Sequence, residues 1–207
     1  MKLGADLFYG KLVKALQPDP NGVRAELLLA IPAGLAGFAC QAATWESLVV
    51  GEGHPVYSVF VVFSTTDGGE YPFSDPMNKL LLEDTYSVWS LATAAARSAT
   101  DAPLPDVEEI VSHVAGTIGT PQFGVPRLPP SSSLGADTLV GAVEAAWPQF
   151  LPLLGLVCGM PEEWPLLFAA ALQRAMGVVK ELIDPVKAYT IAMECAVPMA
   201  HLPMKPV

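Results

Sequence analysis

Charge is scarce in this sequence. Only 15% of its 207 residues are Asp, Glu, Lys or Arg, against roughly a quarter in an average soluble domain. The eleven Lys and Arg are scattered among twenty-one Asp and Glu, leaving a net charge of −10. Nothing in that distribution builds a basic face, so nucleic acid is excluded as a partner. Anionic membrane surfaces are disfavoured on the same ground. Cysteine and histidine are also scarce, three of each. Cys40, Cys158 and Cys195 lie far apart in apolar sequence and read as free, buried thiols. A zinc site needs clustered Cys or His at short spacing, so no metal and no cofactor is expected. The chain also lacks a Gly-x-Ser-x-Gly elbow, a phosphate loop, a Gly-x-Gly-x-x-Gly turn and an internal repeat.

What the sequence has in excess is apolar surface: 52% hydrophobic residues and a mean hydropathy of +0.41. Leu27 to Trp45 runs nineteen residues without a charge, which is long enough to span a bilayer. Pro32, Gly34 and Gly37 interrupt it, and a lone span has no neighbouring helix to satisfy the freed backbone groups. No cluster of Lys and Arg flanks it to set an orientation. The short basic start of a secretion leader is missing too. No membrane span and a cytoplasmic location are therefore expected. The apolar excess then has two uses, a well-filled core and a surface covered by a partner.

Periodicity predicts a mainly α protein, α+β at the margin: a multi-helix orthogonal bundle with one β-hairpin at about 56–73, in a single domain over 1–207. Leu3, Leu7, Phe8, Leu12, Val13 and Leu16 recur at helical spacing, and Pro18-Asp19-Pro20-Asn21-Gly22 ends that helix as a turn. A central helix, apolar nearly all round, follows from about Val23 to Val50, bent or broken at Pro32. Val56 to Ser64 is β-branched and aromatic, Asp67-Gly68-Gly69 is a hairpin turn, and Glu70 to Phe73 returns. Further helices are expected over about 84–99, 107–118, 136–154 with an interruption near Pro148 and Pro152, 162–182 and 185–197. Between them, residues 119–135 form a long Pro- and Ser-rich loop. Loops of that length are uncommon unless functional or disordered; Phe123, Val125 and Leu128 are expected to pin its first half.

Candidate chemistry is thin. His113 follows Glu109 by four residues, so the two share a helix flank, where a solvated surface competes with a base and its orienting acid. Asp67, Glu70 and Asp75 are accounted for by turn and cap geometry, and Ser131-Ser132-Ser133 has no histidine near it in sequence. Arg127 is the most suggestive single residue: the stiff Phe123-Gly124-Val125-Pro126-Arg127-Leu128-Pro129 segment can present its guanidinium to a carboxylate or phosphate. A ligand pocket between the helices and the 119–130 loop would be lined by Arg127, Phe123, Tyr86 and Trp89, with Glu109 and His113 nearby.

The segments Tyr86-Ser87-Val88-Trp89, His113 to Gly119, Phe123 to Pro129, Glu163-Trp164-Pro165 and Ile183-Asp184-Pro185 resemble an uncharacterised group of bacterial proteins of about this length. The resemblance implies no activity and carries over no site residue. The leading expectation is a non-enzymatic, self-associating interaction or assembly protein. It forms a homodimer or larger, joined partly through the hairpin. Its rival is a binder of a small-molecule ligand, or an enzyme, using the pocket at the 119–130 loop.

Overall fold

The computed structural model describes residues 2–16, 24–66, 68–127 and 136–203. The turn expected at 18–22, Asp67, Leu128, the serines 131–133 and residues 204–207 lie outside them. Within them the protein is mainly α with a two-stranded antiparallel hairpin. The elements in order are α1 (Lys2–Leu16), α2 (Ala25–Thr44), α3 (Val56–Val59), β1 (Val61–Ser64), β2 (Glu70–Phe73), α4 (Asp75–Asn78), α5 (Val88–Arg97), α6 (Val107–Thr117), α7 (Ala136–Val157), α8 (Trp164–Val179) and α9 (Pro185–Ala200). Wider π-helical turns extend α2 over Trp45–Gly51 and α4 over Lys79–Glu83.

The core is built around α2 and α9. Ile191 to Leu202 is buried without interruption, and α2 is enclosed from Leu28 to Gly37. Two helices can be buried on all sides only if their backbones approach closely, which requires small residues at the crossing. Gly37 supplies that: a Cβ built on it would stand 1.9 Å from the carbonyl oxygen of Ala196. Around the pair, α8 contributes Leu167, Phe168, Leu172 and Ala175, and α1 inserts Phe8 against Phe150 and Phe168. The uncharged Leu27–Trp45 stretch is thus the central helix; its 25–51 segment has the length and apolarity of a membrane span, and 83% of its most apolar window is buried inside the fold. Leu139–Val157 passes the same test with only 17% buried. Its inward stripe of Leu139, Val143, Phe150 and Leu154 is covered, while Gly141, Ala145, Pro148, Pro152 and Gly155 face outward.

Several boundaries differ from expectation, for identifiable reasons. The hairpin begins at Val61 and not at Val56: residues 56–59 make one helical turn, in which Phe60 donates its N–H to the Val56 carbonyl. Strand propensity is a preference for a half-buried pleated surface, and here burial of Phe60 beside Trp45, with ring centroids 6.2 Å apart, decides the local conformation. α2 continues through Pro32, and α7 through Pro148 and Pro152. Each proline removes one backbone hydrogen bond, but flanking core residues on the buried stripe hold the helix. The expected helix 84–99 starts only at Val88, where Ser87 and Ser90 form a reciprocal cap; that expected at 162–182 is α8, preceded by a 3-10 turn over Pro161–Glu163.

The hairpin hangs on the body by one edge. β1 and β2 pair as Val61↔Phe73, Val62↔Pro72, Phe63↔Tyr71 and Ser64↔Glu70. Tyr71 and Pro72 of β2 are buried, whereas all four residues of β1 are exposed. His201, just past α9, stacks on the Phe73 ring at 4.3 Å, and its Nδ1 lies 2.9 Å from the Pro72 carbonyl oxygen.

Candidate functional site

The Pro-rich segment after α6 is where the structure concentrates charge. Asp106 caps α6 by accepting the Glu108 N–H, and the helix presents Glu109 and, one turn later, His113. Gly119 (φ +72°) and Gly124 (φ +77°) turn the chain back. These are left-handed conformations that side chains other than glycine rarely adopt. Phe123 and Pro126 are buried and Val125 is half-buried, so the described part of the loop is pinned as expected. Phe123 meets the Tyr71 ring edge-on at 5.0 Å.

That path delivers Arg127 to two carboxylates. Its Nη1 and Nη2 donate to the two oxygens of Glu109 at 2.6 and 2.9 Å, a bidentate fork. Its Nε donates to Glu194 Oε1 at 2.5 Å, and its backbone N–H to Oε2 of the same residue, also at 2.5 Å. Glu194 sits in the buried run of α9, its side chain only 2% exposed, whereas the Glu109 side chain is 54% exposed. The hydrogen bonds from Arg127 hold the Glu109 carboxyl below its ordinary range, with a smaller contribution from the charge of His113. The same carboxylates push the Arg127 guanidinium upward. Three of the roughly five guanidinium donors therefore end on carboxylates of the chain itself. Chemically this is a strap that closes a loop onto two helices.

The remaining singled-out residues lie elsewhere. Tyr86 is exposed in the turn before α5. Trp89 on α5 donates its indole N–H to the hydroxyl of buried Tyr189 on α9 at 2.9 Å. The cleft beside the loop, about 410 Å³, lies between β2, residues 120–123, α7 and residues 202–203. Tyr71, Phe123 and Glu144 are on its walls, and Arg127, Tyr86 and Trp89 are not among its lining residues. The structure thus brings together Arg127, Glu109 and the Phe123 loop, and separates them from Tyr86 and Trp89. A second cleft of about 380 Å³ between α5, α8 and α9 has alanines on its walls, with Met176, Gln173 and Lys180.

Sequence reasoning missed Glu194. It is the only Asp, Glu, Lys or Arg between Lys187 and Lys205, and a lone acid inside an apolar helix is a signal, because a buried carboxylate requires a partner. His201, at the end of the same buried run, carries no such signal in the sequence. Two of the cysteines, Cys40 and Cys195, are free and buried, and burial pushes both thiols up. Cys158 is half-buried instead, because α7 ends one residue before it at the surface. Among the described residues no group of three or more His, Cys, Asp and Glu is placed to hold a metal ion. No protein-family model matches the chain, and neither a curated protein nor a solved structure matches it.

Proposed function

We propose that this chain is a non-enzymatic, cytoplasmic interaction or assembly protein that self-associates through its hairpin end. The observation that carries this is the exposed apolar segment there. Tyr57 is 85% exposed, Val61 61% and Phe63 56%, with Val62 and Val50 also open, and no Asp, Glu, Lys or Arg stands between Glu52 and Asp67. Scattered exposed apolar side chains need no explanation, but a contiguous uncharged set does. Covering such a side chain fully is worth about 1.5–3 kcal/mol. In support of a cytoplasmic chain without a span, α2 is enclosed by the protein's own helices.

Light scattering on the purified chain from sub-micromolar to tens of micromolar concentration tests the proposal. A mass approaching two 21.8 kDa chains, collapsing to one with Phe63→Glu or Val61→Glu, is expected. A single-chain mass throughout refutes it. A second reading, a binder of a small molecule, is favoured by the cleft that Tyr71 and Phe123 border. A fragment screen by NMR, with shifts confined to those residues, would select it.

A further inference from the structure

The hairpin has two edges, and only one of them can grow. Thr65 donates its N–H to Gly69, so Thr65↔Gly69 is a hydrogen-bonded pair. Along an antiparallel ladder such pairs alternate with pairs that are not bonded to each other. Counting back through the register, Phe63↔Tyr71 and Val61↔Phe73 are bonded, whereas Val62↔Pro72 and Ser64↔Glu70 are not. Pro72 has no N–H to donate and sits where none is needed. Its carbonyl points away from β1, as the contact with His201 Nδ1 requires. The outer edge of β2 is therefore closed, by a proline and by the body of the protein. The same alternation turns the N–H and C=O groups of Val62 and Ser64 outward from β1, where they meet no partner among the described residues.

We infer that β1 pairs antiparallel with β1 of a second copy of this chain, Val62 opposite Ser64 of the other copy, giving a continuous four-stranded sheet β2-β1-β1-β2. This rests on the self-association proposed above and specifies how it is made. The register follows from the edge: it is the one in which both outward residues of each copy find partners, forming four main-chain hydrogen bonds. It places Phe63 on the two-fold axis directly against Phe63 of the other copy, in a pair not bonded through the backbone. Phe63 already meets Phe73 edge-on at 5.2 Å, so the two rings of each copy would make one aromatic row across the seam.

Three considerations favour a second copy as the occupant. Tyr57, Val50 and the three apolar residues of β1 leave on the order of 500 Å² open per chain, so two copies have at most about 1,000 Å² of it to cover, at the lower bound for a specific interface. Charge permits it although each chain carries −10. The segment is uncharged, and the nearest strand acid, Glu70, would stand three strand spacings across and two residues along from its counterpart, about 16 Å, beyond the screening length of about 8–10 Å. A bilayer is a poor occupant, because the outward N–H and C=O groups of an open edge would go unsatisfied in hydrocarbon.

Disulfide trapping tests the register in the full-length chain, with Cys158→Ser to remove the half-buried native thiol. Phe63→Cys puts two thiols in directly opposed positions about 4.5 Å apart at Cα, within disulfide reach. Val61→Cys puts them about 13 Å apart or more. Under mild oxidation, Phe63→Cys should yield covalent dimer at least about tenfold faster than Val61→Cys. To keep Phe63 in place, chains carrying Val62→Cys are mixed with chains carrying Ser64→Cys. A disulfide joining the unlike chains should form in preference to either like pair. If the protein is dimeric by light scattering but neither preference is seen, the strand register is wrong and self-association stands. If it is monomeric throughout, both fall.

Discussion

Replacing Arg127 by alanine asks how much the strap contributes to stability. Glu194 is buried in α9 and accepts two hydrogen bonds from Arg127, one from Nε and one from the backbone N–H. The substitution removes the guanidinium and leaves the carboxylate inside. Breaking one side of a buried ion pair typically costs about 3–5 kcal/mol, because the abandoned charge keeps its desolvation penalty. The surviving backbone N–H argues for the lower end, near 3 kcal/mol. With a urea slope of about 2–3 kcal/mol/M the unfolding midpoint should fall by about 1–1.5 M.

Two further variants apportion that loss. Glu109→Gln weakens only the exposed fork and leaves the buried contact with Glu194, and its midpoint should barely move, as for other surface pairs. Arg127→Met with Glu194→Met replaces the pair by apolar side chains of similar length, and should recover most of the stability lost by Arg127→Ala. Hydrogen exchange adds a spatial readout: in Arg127→Ala the amides of 119–127 should lose protection before those of α8. An Arg127→Ala midpoint displaced by less than about 0.3 M, worth under 1 kcal/mol, would refute the reasoning and leave the strap as a crowded surface contact.

Other consequences follow from single side chains. By carboxyl-carbon NMR, Glu109 should titrate below the ordinary glutamate range, and Arg127→Ala should return it there. Burial lowers the pKa of His201 and the contact with Pro72 opposes this only in part. Its unfolded form therefore binds a proton first, and stability should be complete above about pH 6.5 and fall as pH drops through the depressed folded value, a slope that His201→Gln removes. Gly37→Ala drives a methyl into the Ala196 carbonyl; because backbone and not a side-chain tip must yield, the loss should reach about 3 kcal/mol or more, read as a fall in Tm. Thiol labelling of the native protein should modify Cys158 alone, with Cys40 and Cys195 reacting only in denaturant.

How much of this was legible in the sequence depended on the range of the cause. Helices that bury a regular stripe, such as α8 with Leu167, Phe168, Leu172 and Ala175, were legible because period and burial agree. The length and place of α2 were legible because an uncharged stretch interrupted by Pro32, Gly34 and Gly37 is better satisfied among the chain's own helices than alone in lipid. Residues 56–59 were misread because a β-branched segment carries no record of Trp45, which helps decide its conformation through Phe60. The prolines of α7 were overweighted, since a local rule about one lost hydrogen bond says nothing of Leu139, Val143, Phe150 and Leu154 holding the helix from one side. Arg127 was expected to meet a carboxylate or a phosphate. Which carboxylate was not legible, because Glu194 lies sixty-seven residues away and only folding brings the two together.

The hairpin shows a constraint the sequence did carry, in a residue usually read as a defect. A proline in a strand is tolerated only where its missing N–H faces away from the ladder. Pro72, in the second strand of a two-stranded ribbon, therefore announces that β2 accepts no further strand on its other side. With that edge closed, any strand partner must come to β1, and the apolar, uncharged character of Val61, Val62 and Phe63 describes a surface that lacks the usual protections of an edge: no lysine, no inward charge, no proline. His201 then serves two ends at once. Its Nδ1 caps the one carbonyl that Pro72 turns outward, and its ring holds Phe73, so β2 is fixed while β1 is left open. Substituting Pro72 by valine separates these roles. The hairpin should stay docked, since the Pro72 position donates nothing to β1, while the closed edge regains an N–H and nothing else. Dimer formation through β1 should be unchanged by light scattering; if it is strengthened, partners pair at β2 and the assignment of the two edges is reversed.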